Sequence, residues 1–143
     1  MSSQSIVRTS VRVALAASLL SVVAYGALAG DSKVTLSGKE QTPPVATSAS
    51  GAGEIKVSDD KKVSGSVKTT GVEGIAAHIH LGGPGEKGPP IIPLEKGSDG
   101  TWKVPEGTTL SDEQYAAYKA GKLYVNVHSA ANKGGEIRGQ LNP

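Results

Sequence analysis

Short runs that alternate apolar with polar residues, each cut off by glycine or proline, recur from Lys33 to the C-terminus and restrict this chain to an antiparallel β architecture. Residues 33–39 set Val34, Leu36 and Gly38 against polar neighbours, as a half-buried strand does. Residues 41–50 are rich in Pro, Thr, Ser and Ala. Pro43-Pro44 bars regular ladder bonding there, so the stretch reads as an extended crossing or edge segment. Residues 54–58 and 62–70 flank the turn residues Ser58-Asp59-Asp60-Lys61 and read as a hairpin. Residues 74–81 form a further strand, with Ala76, His78 and His80 on one face and Ala77, Ile79 and Leu81 on the other. The Gly- and Pro-rich residues 82–90 imitate collagen triplets for too short a length to form a triple helix, and read as a loop.

Residues 91–94 and 101–104 continue the strand pattern, with Trp102 as a core anchor. One helix is expected, over about 111–120. Ser111 and Gln114 have capping-box spacing, Leu110 and Tyr115 stand at the two positions of a hydrophobic staple, and Gly121 falls where a left-handed stop is wanted. Residues 122–129 and 136–141 read as a closing pair of strands joined by a turn around Asn132-Lys133-Gly134-Gly135.

Residues 1–29 have the layout of a cleavable export signal: Arg8 and Arg12, an apolar stretch from Val13 to Ala24, and the small-residue site Ala27-Leu28-Ala29. That stretch is well short of the roughly 20 residues a bilayer span needs. The expectation is cleavage after Ala29, no membrane span in the mature chain, and residence in the periplasm or outside the cell. What remains, residues 30–143, suits one domain with one modest core. Two of the 15 basic residues leave with the signal, so 13 basic side chains face 13 acidic ones. That balance lacks the electropositive footprint of a nucleic-acid binder. The sequence contains no cysteine, and its one methionine is Met1. Disulfides, thiolate chemistry and sulfur ligands are thereby excluded from the mature chain.

Several phrases follow one another in order: Leu36-Ser37-Gly38 with Glu40 and Pro43-Pro44, Ala77-His78-Ile79-His80, Gly100-Thr101-Trp102, Leu123-Tyr124-Val125-Asn126-Val127-His128, and Gly134-Gly135-Glu136-Ile137-Arg138-Gly139-Gln140-Leu141. In these the chain resembles the chordin-type domain family, CHRD, from Leu36 to Leu141. Only Ser129, where threonine is commoner, departs from the motif phrases. The resemblance implies an extracytoplasmic, immunoglobulin-like β-sandwich of the kind found in secreted bacterial proteins and in animal chordin. It implies no settled biochemical activity.

All three histidines lie in these phrases. On a strand, His78 and His80 project from one face with Cα atoms roughly 6.6 Å apart, and two imidazoles so placed can converge on an ion at about 2.0–2.1 Å. His128, on a strand with Tyr124 and Asn126 on the same face, can supply a third nitrogen. A partly similar arrangement occurs in the copper–zinc superoxide dismutases, also sandwiches. This sequence lacks their bridging imidazole, zinc ligands, disulfide and fourth copper histidine. Nitrogen ligands without sulfur suit Cu(II) or Zn(II), and the divalent affinity order favours Cu(II). The other reading of the histidines is structural, each ring donating to a carbonyl or carboxylate.

Glu136, Arg138 and Gln140 alternate on one face of the last strand. They read either as an ion-pair and hydrogen-bond ladder or, with Asn126, as groups around the histidine site. No Ser-His-Asp order and no phosphate-cradling loop stands out. Three functions follow as alternatives: a copper-handling domain binding metal through His78, His80 and His128; a metal-independent module whose loops bind an extracytoplasmic protein or glycan; and a redox enzyme resembling superoxide dismutase.

Overall fold

A computed structural model describes residues 30–143; the expected export signal lies outside them. Among the described residues nine strands form one antiparallel sheet: β1 (Asp31–Ser37), β2 (Ser50–Val57), β3 (Val63–Thr70), β4 (Gly74–Leu81), β5 (Pro90–Pro93), β6 (Glu95–Lys96), β7 (Thr101–Lys103), β8 (Leu123–Ser129) and β9 (Ile137–Gln140). Their order is β5-β4-β8-β9-β1-β2-β3-β7-β6. β5 and β6 lie at opposite ends of that order but are separated in the chain only by Leu94, whose N–H donates to the Ala77 carbonyl of β4. Residues 90–96 therefore fasten one margin of the sheet to the other, and the sheet is nearly closed around a single interior. The expected all-β fold with one short helix is the one observed.

Alternation decides which residues enter that interior. Val34 and Leu36 of β1, Ile55 and Val57 of β2, Ala77 and Ile79 of β4, Val125 and Val127 of β8 and Ile137 of β9 meet Trp102 and Tyr118 in one apolar cluster. Each fully buried aliphatic side chain there contributes about 1.5–3 kcal/mol relative to exposure. The one α-helix among the described residues, α1 (Asp112–Lys119), begins where the sequence places it. The Ser111 hydroxyl accepts from the Gln114 N–H, and the Gln114 side chain returns the bond to the Ser111 N–H. Gly121 follows with φ 72°, a conformation that costs a residue with a Cβ but not glycine. The helix buries Tyr118, whose hydroxyl reaches Ser32 and donates to the Gly30 carbonyl, tying α1 to the start of β1.

The structure departs from the sequence reading chiefly in three places. β2 begins at Ser50, four residues before the strand read at 54–58, because residues 50–53 pair with β1 on one side and β3 on the other. The first strand ends at Ser37, because the Gly38 carbonyl turns to accept from both Gln41 and Val45 and a 3-10 turn follows. β6, two residues long and exposed, offers no periodicity to detect and forms through its pairing with β7.

Candidate metal centre

The face of β4, β8 and β9 opposite the apolar cluster carries the polar set. Antiparallel register places His78 opposite Asn126, His80 opposite Tyr124, Ala76 opposite His128, and Asn126 opposite Arg138. The loop of residues 82–89 folds back over this face, which is why the surface turned away from the core is largely buried. His80, Asn126 and Arg138 are 7 %, 4 % and 2 % exposed.

The three histidines offer one nitrogen each, all within 4.8 Å of one another. His78 Nδ1 is 3.2 Å from His128 Nε2. Two nitrogens sharing an ion at about 2.0–2.1 Å with tetrahedral-like angles sit about 3.0–3.4 Å apart. His80 Nδ1 donates to the Gly88 carbonyl at 2.8 Å, and His128 Nδ1 donates to the Lys133 carbonyl at 2.8 Å. A carbonyl can only accept, so both rings carry their proton on Nδ1 and keep the Nε2 lone pair free for the centre. His128 Nε2 then accepts from His78 Nδ1–H; the His80 Nε2 is buried and has no partner. Burial holds His78 and His80 below the usual imidazole range, aided by the neighbouring His128 and, for His80, opposed by the Gly88 carbonyl. Both rings are consequently neutral near pH 7, the state in which imidazole ligates.

Tyr124 is buried, yet its ring is spent on this site and stands outside the apolar cluster. It stacks on His80 with ring centroids 4.9 Å apart and 17° between planes, and the Arg138 guanidinium lies 3.4 Å over it. Because β8 runs between β4 and β9, His80 and Arg138 cover Tyr124 from its two sides. The Tyr124 hydroxyl accepts from the Gly88 N–H, steadying the residue whose carbonyl holds His80. The role of Tyr124 and the two carbonyl anchors were not foreseen. The signal available was the tyrosine two residues before Asn126 and four before His128 on one strand face.

The other candidate residues are placed as follows. Asn126 Oδ1 accepts from Gln41 and its Nδ2 donates to the Gly134 carbonyl, so it ties the end of the 3-10 turn and the β8–β9 turn together beside the histidines. Arg138 donates to the carbonyls of Glu86 and Gly83 and to Gln140 Oε1. Glu136 accepts from Thr47, Ser129 and Asn132 and touches no imidazole. Of the ion-pair and hydrogen-bond ladder offered as one reading, the structure has hydrogen bonds: among the described residues Glu136 and Arg138 are in no salt bridge, and each is bonded to neutral partners. Ser129, the residue where the motif phrases depart, is spent on Glu136.

The family model of the CHRD domain matches residues 32–141. The chain belongs to the CHRD domain family. No curated protein and no solved structure matches it. CHRD domains are generally extracellular, and among the described residues of this one no helix is long and apolar enough to cross a membrane. Two of the motif phrases, residues 77–80 and 123–128, coincide with the strands that carry the histidines.

Proposed function

We propose that this protein is an exported CHRD domain that binds one transition-metal ion through His78, His80 and His128, with Cu(II) favoured over Zn(II), and that it serves copper handling outside the cytoplasm. The observation that carries this reading is the pair of backbone-anchored imidazoles, each turning an unprotonated Nε2 toward a common centre: that of His128 accepts from His78, and that of His80 is buried without any partner. A buried nitrogen lone pair left unsatisfied costs about 1–3 kcal/mol, and coordination removes that cost. In the metal-free protein His78 holds its proton toward His128; on binding, that proton moves to His78 Nε2 so that Nδ1 can ligate. Three nitrogen ligands and no sulfur suit a divalent borderline ion, and the affinity order puts copper ahead of zinc.

Titration of the purified protein with Cu(II) and Zn(II), beside a His78→Ala/His80→Ala variant, tests this reading. One equivalent bound with a nitrogen-liganded copper spectrum, lost in the variant, supports it. Absence of stoichiometric binding by the parent rejects it and leaves the metal-independent interaction module.

A further inference from the structure

A pocket of about 290 Å³ opens beside the histidines, lined by His80, His128, Tyr124, Lys87 and Arg138 together with uncharged groups that include Gln41 and Thr42. Its size decides what it can hold. Liquid water occupies about 30 Å³ per molecule, and drug-sized ligands take sites of about 300–1,000 Å³, so the pocket suits a small ligand with some water.

Its charge decides the sign of that ligand. No carboxylate lines it. Arg138 is 2 % exposed, and among the described residues its donors meet only neutral acceptors: two loop carbonyls and a glutamine amide. The acids whose charges reach Arg138, Glu40 and Glu86, lie neither in the pocket lining nor within ion-pair distance of it. Dipoles and the Tyr124 ring stabilise a guanidinium without cancelling its charge, and a buried cation normally has a counter-ion. Lys87, exposed on the roof loop, adds a second positive charge. The rings of His80 and His128, whose unprotonated Nε2 atoms face the candidate metal centre, belong to the same lining, so the cationic cavity adjoins that centre.

We propose that this pocket admits a small monovalent inorganic anion to the open coordination position of the bound metal, with Lys87 and Arg138 supplying the attraction. The inference rests on the metal reading above. Arg138, its donors already committed to the roof loop, acts through charge; Lys87 meets the anion on entry.

Azide, added to the copper-loaded protein, is the probe. Copper content is measured first, so that failure to load, which overturns both the metal reading and this one, is distinguished from failure of the pocket. On the loaded fraction, azide is expected to give a saturable near-ultraviolet charge-transfer band and a shifted copper resonance spectrum. Lys87→Glu, an exposed change on the roof loop, is expected to weaken the apparent azide affinity about fivefold or more, and the difference should shrink as salt is raised. Arg138→Gln should weaken it also, if that variant folds. Loaded protein that shows no azide response, or an azide affinity equal in the parent and Lys87→Glu, overturns the proposal.

Discussion

At Glu136 a buried carboxylate is held by three neutral donors, Ser129 first among them, and these hold its carboxyl below the usual carboxylate range against the opposing effect of burial. A depressed carboxylate stabilises the fold at pH values above its unfolded titration, and that contribution is lost as pH falls through the folded one. Glu136→Gln should therefore destabilise the protein by about 1–2 kcal/mol at pH 7. The gap from the parent should close in acid, as urea melts across pH 3–7 would show. Gly88 is a second sensitive position. A Cβ there would collide with the Leu81 carbonyl, and relief means moving the carbonyl that orients His80. Gly88→Ala should lower copper affinity about 10- to 100-fold without altering a ligand, the usual scale for groups that orient metal ligands; a competition assay with a chromophoric chelator measures it. The three histidines were legible because type and period-two spacing sufficed. Gly88 and Lys133 were not, since they act through backbone carbonyls that any residue carries, and only the path of the loops puts those carbonyls within reach.

Elements whose rules are local could be read directly. The capping box of α1 is a four-residue signal, and Ser111→Ala should cost about 1 kcal/mol, visible as a lower Tm in a thermal melt of the whole domain. β4 was legible to the residue, because Ala77 and Ile79 alternate with His78 and His80, and a one-residue slip would send both histidines into the core. The end of β1 was missed because Gly38 continues the alternation in sequence while its carbonyl is taken by Val45. β6 was missed because two exposed residues have no period. The sequence places Tyr124 on the strand face of Asn126 and His128; cross-strand pairing with His80, a long-range fact, gives it a part in the site.

On the scale of the whole molecule, closure depends on residues 90–96, which pair with β4 through β5 and with β7 through β6. Leu94, between them, is buried and bonded to β4. Leu94→Ala should cost about 2–4 kcal/mol in a single cooperative transition, with circular dichroism and Trp102 fluorescence melting together; separate melts would show that the two margins are independent. The fastening also has a consequence for when a metal can be acquired. His78 and His128 are fifty residues apart in the chain and meet only once the β4–β8 ladder has formed. An unfolded chain holds two of the three imidazoles on one short stretch and the third far along the chain. The complete set exists only after folding is finished, so an ion bound as proposed would be drawn from whichever compartment the domain folds in, and its capture would mark the end of that process.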